Sequence, residues 1–241
     1  MTSFHFFDSI GSTNDYALAL GGEGAVVVAD TQTAGRGRRG HSWHSPPGSG
    51  LYVSVVLSPA RARDPRRATT LVTIMAGVAL AEGIDAATGL PASLKWPNDL
   101  FVAARKLGGI LAESSGVAEP LAAVTVGYGI NVAATSFPPD LSDRATSLES
   151  ELGREVDRGH VLAETLAALD ARYRDLLDGR FDVILDGWRR RAPAARGARV
   201  AWTTPEGPRT GTTAGIDRDG ALLVELDGRI ERIIAGELRW L

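Results

Sequence analysis

The chain has 241 residues, 44% of them hydrophobic, and a formal net charge of −3. This length suits one large domain followed by a small one, and the acidic balance argues against a surface built to coat nucleic acid. The absence of cysteine excludes disulfides, thiolate catalysis and cysteine-ligated zinc, and we therefore expect a cytoplasmic protein.

The N-terminal region predicts a strand, a capped helix and a second strand. It lacks a basic region followed by an apolar run, so we expect no signal peptide, and no apolar stretch of the chain approaches the length needed to cross a bilayer. Residues 4–7 predict a short strand, and Ser12 followed three residues later by Asp15 is typical of a helix N-cap. The β-branched residues within 25–29 predict a buried strand.

The segment 35–40 has the sequence GRGRRG. Glycine lets the backbone turn and lets a ligand approach, while each guanidinium presents a fork of donors that fits phosphate or carboxylate oxygens. A solvated basic loop or a nucleic-acid patch would have the same composition. The GxxxxGK[ST] pattern is absent and GxGxxG does not run into a helical pattern here, which argues against both nucleotide-binding folds that use these motifs.

A long polar loop follows over residues 41–50, of the kind that forms a functional lid or is disordered. Residues 51–57 then predict a strand, and Asp64-Pro65 predicts a helix start, with an N-cap before a proline at the first helical position. Apolar residues continue at helical spacing to about Gly89 and cover most sides of the predicted helix. We therefore expect a core helix that packs against a sheet.

The segment 93–100 places polar side chains among apolar ones at the end of a strand. Lys95, Asn98 and Asp99 surround Pro97, which ends the strand pairing and fixes a turn. A reverse turn alone would explain this composition. The segment therefore indicates a functional site only in combination with the other motifs of the chain.

Two strands and two helices are predicted in the following part of the chain. Residues 106–113 and 121–132 predict strands, and the second has glycines where a ligand or another backbone could approach. A loop over 133–143 precedes an amphipathic helix over 162–176 and a second helix over 183–190.

Pro193 and Gly197 mark a domain boundary, beyond which the pattern changes to short strands separated by turn residues. The strands are predicted at residues 199–203, 209–216, 221–226 and 230–235. This pattern favours a small SH3-like barrel.

Taken in order, four motifs resemble those of biotin–protein ligases. They are GRGRRG at 35–40, KWPND at 95–99, KLGGIL at 106–111 and GYGINV at 127–132. The resemblance covers nearly the whole chain and implies an α+β fold. Residues 1–194 would form a catalytic domain of the class II synthetase-like type, with a mixed central sheet flanked by helices, and residues 195–241 the SH3-like barrel.

The resemblance implies a two-step reaction with biotin and ATP as substrates and Mg²⁺ as the metal. Biotinyl-5′-AMP and pyrophosphate form first, and a lysine of a biotin carboxyl carrier protein domain of biotin-dependent carboxylases then accepts biotin and releases AMP. Few residues precede Phe4, so the resemblance implies the form without an N-terminal DNA-binding domain. We expect no nucleic acid and no membrane as partners, and either a monomer or a homodimer.

The resemblance implies a role for each residue of this chain that matches a functional position of the family. Lys106 and Arg38 are the expected catalytic residues. The expected biotin-binding residues are Ser12, Thr13, Asn14, Gln32, Arg36, Gly37 through its N–H, Arg38, Lys106 and Gly109. The expected ATP-binding residues are Arg38, Arg39, Trp43, Lys95, Asn98 and Asn131, and Asp99 is the expected metal ligand. His41 departs from the family pattern, in which many members have a further arginine or lysine, and would weaken or retune the loop's hold on an anion.

Three other interpretations remain open at this stage. A lipoate–protein ligase shares the catalytic fold but would need an apolar tunnel in place of polar ring contacts. A nucleic-acid binder would use the GRGRRG segment at residues 35–40, called here the arginine loop, and would make no use of Lys106. An interaction module built on the barrel would explain none of the motifs. For the ligase, we expect residues 35–48 to be mobile without ligand and to close over the intermediate.

Overall fold

The computed structural model describes residues 2–114, 123–134, 137–205, 207–234, 236 and 238–241. The elements of the first part are β1 (Ser3–Ile10), α1 (Thr13–Leu20), β2 (Ala25–Gln32), β3 (Gly50–Leu57), α2 (Pro65–Thr88), β4 (Ser93–Lys95), β5 (Asp99–Val102), β6 (Arg105–Glu113) and β7 (Val124–Asn131). They are followed by α3 (Leu148–Leu152), α4 (Arg158–Leu177), α5 (Phe181–Arg191), β8 (Arg196–Thr204), β9 (Gly207–Ile216), β10 (Leu222–Leu226), β11 (Arg229–Ile233) and β12 (Arg239–Trp240).

A seven-stranded mixed sheet forms the centre of the molecule, in the order β1-β2-β3-β7-β6-β5-β4. Only β1 and β2 pair in parallel; the other neighbours in this sheet are antiparallel. The described C-terminal strands form a five-stranded antiparallel sheet in the order β11-β10-β9-β8-β12. The predicted α+β class, with a mixed sheet, flanking helices and a small β unit after them, is confirmed.

Alternation along β2 sends its side chains to two different cores. Val26 and Val28 join the large core formed with α2, α4 and α5, whereas Val27 packs with Ala17 of α1. One sheet face is therefore closed by three helices and the other by the short α1 alone. The rest of that second face is left for the loops that follow β2.

α2 is the central helix of the large core and begins and ends where the sequence predicts. The Asp64 side chain accepts a hydrogen bond from the N–H of Arg67, and Gly89 ends the helix with φ +74°. The prediction about membrane-crossing length is wrong here. Among the described residues one helix, α2, is long and apolar enough to span a bilayer, but 67% of its most apolar window is buried inside the protein. It is apolar all round because sheet and helices surround it.

Other differences from the predicted elements are small. The strand predicted over 121–132 is observed from Val124, with residues 121 and 122 outside the described residues, and the strand predicted over 230–235 ends at Ile233, with residue 235 also outside them. The five-residue α3 and the two-residue β12 were not predicted. Both are too short to leave a periodic signal in the sequence.

The C-terminal sheet contacts the central sheet and α2 through hydrogen bonds to backbone carbonyls. Trp96 Nε1 donates to Gly220 O at 3.0 Å, and Arg67 donates to Arg218 O from Nε at 3.1 Å and from Nη2 at 2.9 Å. Trp96 lies directly before Pro97 in the β4–β5 turn, so the small sheet supports the turn that carries Asn98 and Asp99.

Candidate active site

Three glycines of β6 and β7 form the floor of the candidate site, on the sheet face that carries α1. Gly109 pairs with Gly129, and Gly127 lies two residues before Gly129 in β7, so its side-chain position is on the same face of the sheet. A Cβ on Gly127 would collide with the Asn14 carboxamide, and a Cβ on Gly129 with the Trp43 indole. Glycine is needed at these positions because both side chains lie directly on the strand backbone.

A neutral polar cluster covers one end of this floor; it consists of Ser12, Thr13, Asn14, Gln32 and Ser54. The Ser12 hydroxyl accepts from the N–H of Asp15 at 3.4 Å and caps α1. Gln32 Oε1 accepts from Thr13 twice, from N–H at 2.9 Å and from Oγ1 at 3.1 Å. The start of α1 and the end of β2 are thereby joined by buried, neutral hydrogen bonds.

Ser54 belongs to this cluster and was not predicted. Its Oγ lies 2.8 Å from Thr13 Oγ1 and 2.6 Å from Asn14 Oδ1, and the residue is fully buried in β3. The only signal in the sequence is one small polar residue within the run LYVSVVL, which forms no motif. Because Ser54 pairs with Gly127 across the strands, it projects from the floor beside the residues of α1.

A charged group covers the other end; it consists of Arg38, Lys95, Asp99 and Lys106. Lys106 Nζ lies 2.7 Å from Asp99 Oδ1 and 5.5 Å from the centre of the Trp43 ring. The guanidinium of Arg38 donates to Asn98 Oδ1 at 3.2 Å. Three cations and one carboxylate thus meet where β5, β6 and the arginine loop come together.

The surroundings of these cations favour an anionic ligand. Burial lowers the pKa of Arg38, the neighbouring Arg39 lowers it further, and Asp99 acts in the opposite direction. Burial also lowers the pKa of Lys95, against the raising effect of Asp99, while Lys106 lowers it. Partial burial and mutual repulsion both disfavour the charged forms, and a bound anion would relieve them.

Lys95 also connects the site to the C-terminal sheet. Its ammonium lies 4.6 Å from the centre of the Phe101 ring and 5.1 Å from that of Trp240 in β12. Cations are attracted to aromatic faces, so the last strand of the chain helps to hold Lys95 in place.

Trp43 lies between the two ends of the floor. Its N–H donates to Gly35 O at 2.8 Å, which closes the arginine loop on itself. Its indole Nε1 is buried and has no hydrogen-bond partner among the described residues. This atom packs against the floor, because a Cβ on Gly129 would collide with it.

The other arginine-loop residues that were predicted to bind substrates either form hydrogen bonds within the protein or lie exposed. Arg36 donates to the carboxylates of Glu113 and Asp15. The N–H of Gly37, expected to face an anion, donates to His41 O at 2.6 Å. Arg39 has a left-handed backbone, with φ +56°.

Asn131 is joined to Lys106 through a short strap, residues 144–146, which was not predicted. Asn131 Nδ2 donates to Thr146 O at 3.0 Å. The N–H of Thr146 donates to Lys106 O at 2.9 Å, and the N–H of Lys106 donates to Arg144 O at 2.7 Å. The strap fixes the backbone of Lys106 on both sides.

In the described part of the site, the residue expected to hold a metal is Asp99. Within the residues that the structure describes, no group of three or more His, Cys, Asp or Glu side chains could hold a metal ion. Asp99 offers a single carboxylate, already paired with Lys106. This fits an Mg²⁺ ion that is held mainly by substrate phosphates and water, not a resident metal.

Comparison with known families matches two parts of the chain. Residues 6–131 match the description "Biotin/lipoate A/B protein ligase family", and residues 197–238 match "Biotin protein ligase C terminal domain". The first range contains the glycine floor, the neutral polar cluster and the charged group.

Individual relatives resemble the chain over most of its length. A bifunctional ligase/repressor BirA of Bacillus spizizenii is 38% identical over 96% of this chain and 72% of the relative. A biotin–[acetyl-CoA-carboxylase] ligase of Paracoccus denitrificans is 36% identical over 88% of this chain and 90% of its own. The solved structure of a biotin protein ligase from Aquifex aeolicus, in complex with biotin and ATP, is 29% identical and superimposes with a TM-score of 0.86, covering 100% of this chain and 99% of that one.

Proposed function

Because the chain belongs to the biotin/lipoate A/B protein ligase family and is a biotin–protein ligase, we propose the following roles for its site residues. The neutral polar cluster binds the ureido ring of biotin. The charged group binds the biotin carboxylate and the phosphates of ATP. The substrates would thus lie over the side chains that cover the glycine floor, with their reacting ends at Lys106.

The observation that carries this proposal is the separation of neutral and charged side chains along one floor. A ureido ring has two N–H donors and one carbonyl acceptor, and hydroxyl and carboxamide groups can satisfy both kinds. Ser12, Asn14 and Ser54 supply such groups in a buried setting. Lipoate has no ureido group, so its ring could not use the hydrogen-bonding capacity that this cluster keeps toward a ligand, and it would bind more weakly.

In the first step a biotin carboxylate oxygen bonds to the α-phosphorus of ATP and the bond to pyrophosphate breaks. The two reactants are anions, so their approach requires positive charge at the reacting atoms. Lys106 and Arg38 provide it from a partly buried position, where fixed charges act more strongly than in water. Asp99 and the strap hold Lys106 in place for this task.

The nucleotide would occupy the charged end beyond Lys106. Trp43 offers an indole face for stacking with adenine, and Lys95, Asn98 and Asn131 offer polar contacts, with Arg39 at the rim. Asp99 would hold Mg²⁺ together with the phosphates, and the ion would supply positive charge for the phosphate groups there.

In the second step the amine of a carrier lysine bonds to the acyl carbon of biotinyl-AMP and AMP leaves. We propose a biotin carboxyl carrier protein domain as this partner, residues 1–194 as the catalytic domain and residues 195–241 as the small domain. The contact of Trp240 with Lys95 supports a role of the small domain in holding the nucleotide end of the site. A cytoplasmic location stays a prediction.

The direct test is to incubate the protein with ATP, Mg²⁺ and either biotin or lipoate, and to identify the acyl-adenylate by mass. We expect biotinyl-AMP and pyrophosphate in the first reaction and at most a small fraction of lipoyl-AMP in the second. Equal or preferential formation of lipoyl-AMP would contradict the proposed role of the neutral polar cluster.

A further inference from the structure

Arg36 is held by two carboxylates that lie on two other segments. Its Nη1 donates to Glu113 Oε1 at 2.9 Å and its Nη2 to Glu113 Oε2 at 2.9 Å, in the paired geometry that guanidinium and carboxylate groups favour. Nη2 also donates to Asp15 Oδ1 at 2.5 Å. One guanidinium therefore joins the arginine loop to the end of β6 and to α1.

The charge balance at Arg36 differs from that at Lys106. Arg36 carries one positive charge against the two negative charges of Asp15 and Glu113, so this spot has a net negative charge. An incoming biotin carboxylate or phosphate would be repelled there unless it displaced both residues. Arg38 and Lys106 face no such excess of negative charge.

We infer that Arg36, Glu113 and Asp15 form a clasp that holds the arginine loop closed over the site, and that Arg36 is not the anion-binding group its position in the motif suggests. This inference rests on the proposed function for its consequence, the retention of biotinyl-AMP. Its structural part, closure of the loop, does not depend on catalysis.

The clasp controls the arginine loop because Arg36 lies at the base of that loop. Arg36 and Ser42 form an antiparallel backbone bridge, and the N–H of Trp43 donates to Gly35 O. The position of Arg36 thus fixes that of the Trp43 indole, which covers the middle of the floor. Opening the clasp would free Trp43 and uncover the intermediate.

Glu113 also connects the clasp to the neutral polar cluster. Asn14 Nδ2 donates to Glu113 Oε2 at 2.8 Å, while Asn14 Oδ1 lies 2.6 Å from Ser54 Oγ. Glu113 is thereby a positioning residue for Asn14 as well as an anchor for Arg36. A ring bound at Asn14 and a closed loop would stabilise each other through this shared carboxylate.

The test compares Arg36→Met with Asp15→Asn, because the two interpretations of Arg36 predict opposite results for the second variant and Asp15 has no side-chain contact with Asn14 that would confuse them. If the clasp exists, both variants release biotinyl-AMP about 3- to 10-fold faster in the absence of carrier, the change expected from losing a charge-assisted pair at a partly exposed position. The double variant should be no worse than the stronger single variant. If Arg36 binds the substrate anion, Asp15→Asn should leave biotin affinity and release unchanged or improve them.

Amide hydrogen exchange of residues 35–43 in the protein without substrates gives the second readout. We expect faster exchange in Arg36→Met, Glu113→Gln and Asp15→Asn, with unchanged thermal unfolding of the core. Unchanged exchange in all three would overturn the clasp whatever the activity.

The matched control is the pair Arg174–Asp170 on α4, which is 2.5 Å apart and partly exposed. Arg174→Met and Asp170→Asn should change neither exchange in the loop nor release of the adenylate. If the wild-type protein forms no biotinyl-AMP, the proposed function fails, while the exchange measurement still decides whether the clasp exists.

Discussion

The neutral polar cluster and the charged group lie on the same glycine floor but are assembled in different ways. Ser12, Thr13 and Asn14 are consecutive residues at the start of one helix, buried and joined by hydrogen bonds to β2 and β3. The charged group combines side chains from the arginine loop, the β4–β5 region and β6, and the Lys106 side chain is 35% exposed.

This difference teaches which end of the site is rigid before substrates arrive. Neutral hydrogen bonds between core elements fix the shape of the neutral polar cluster without a ligand. At the charged end, three cations are balanced by one described carboxylate, so we expect a bound anion to stabilise this end. Under the proposed function, recognition belongs to the first region and chemistry to the second, so substitutions in the two regions should have different kinetic consequences.

The largest effect is expected for Lys106→Ala, which removes a positive charge from the reacting atoms. Adenylate formation at saturating substrates should fall at least ~10²-fold, as for loss of an electrostatic donor to a transition state. Single-turnover release of pyrophosphate measures this directly. A rate within a few-fold of the wild-type value would show that Lys106 has no part in the chemical step.

The next largest effect is expected for Gly127→Ala, because its Cβ would collide with the Asn14 carboxamide. Displacing Asn14 should weaken biotin binding by about 10- to 100-fold, corresponding to the 1–3 kcal/mol typical of overpacking. Calorimetric titration with biotin, without ATP, provides the measurement. Normal affinity would mean that Asn14 can move without loss and is not a ring contact.

A smaller effect is expected for Ser54→Ala, which removes the shared partner of Thr13 and Asn14. Biotin affinity should fall by roughly 5- to 10-fold, the value of about one hydrogen bond. The maximal rate of adenylate formation should be unchanged once biotin is saturating. A lowered maximal rate with normal affinity would place Ser54 in the chemistry instead.

The smallest effect on activity is expected for Asp217→Asn in the turn between β9 and β10, because the Asp217 side chain contacts Asp219, Ala221 and Arg232 and no residue of the two regions. Burial alone would raise the pKa of Asp217, but the N–H of Asp219, the guanidinium of Arg232 and the N–H of Ala221 hold it below its usual value. A depressed carboxyl pKa stabilises the fold above the unfolded pKa and loses that contribution as pH falls through the folded pKa.

Asp217→Asn should therefore cost about 1 kcal/mol at neutral pH and flatten the acid limb of the stability curve. Chemical denaturation from pH 7 down to pH 3 measures both, and adenylate formation by the folded variant should be normal. An unchanged acid limb would contradict the assignment of the pKa shift to Asp217.

Local sequence signals predicted much of the fold. Asp64-Pro65 and Gly89 bound α2 because capping and helix termination depend on adjacent residues. β12 left no such signal, since its two residues are ordered only by pairing with β8. We expected no apolar stretch long enough to cross a bilayer, whereas α2 has that length and composition. Composition alone does not reveal that the sheet and the other helices of the protein surround this helix.

The candidate site was predictable only where its residues stand together in motifs. Lys106, Arg38 and Asn98 were found in this way, and the structure brings them to one end of the floor. Ser54, Glu113 and the strap at 144–146 stand in ordinary strand or loop sequence. Their proximity to the site comes from strand pairing across the sheet and from long-range hydrogen bonds, which one sequence does not display.

The most direct test of the division between recognition and chemistry is biotin-dependent exchange of labelled pyrophosphate into ATP, measured for Ser54→Ala and Lys106→Ala over a wide range of biotin concentrations. We expect Ser54→Ala to regain the wild-type exchange rate at high biotin and Lys106→Ala to stay at least ~10²-fold slower at every concentration. Recovery of Lys106→Ala at high biotin, or failure of Ser54→Ala to recover, would contradict the division.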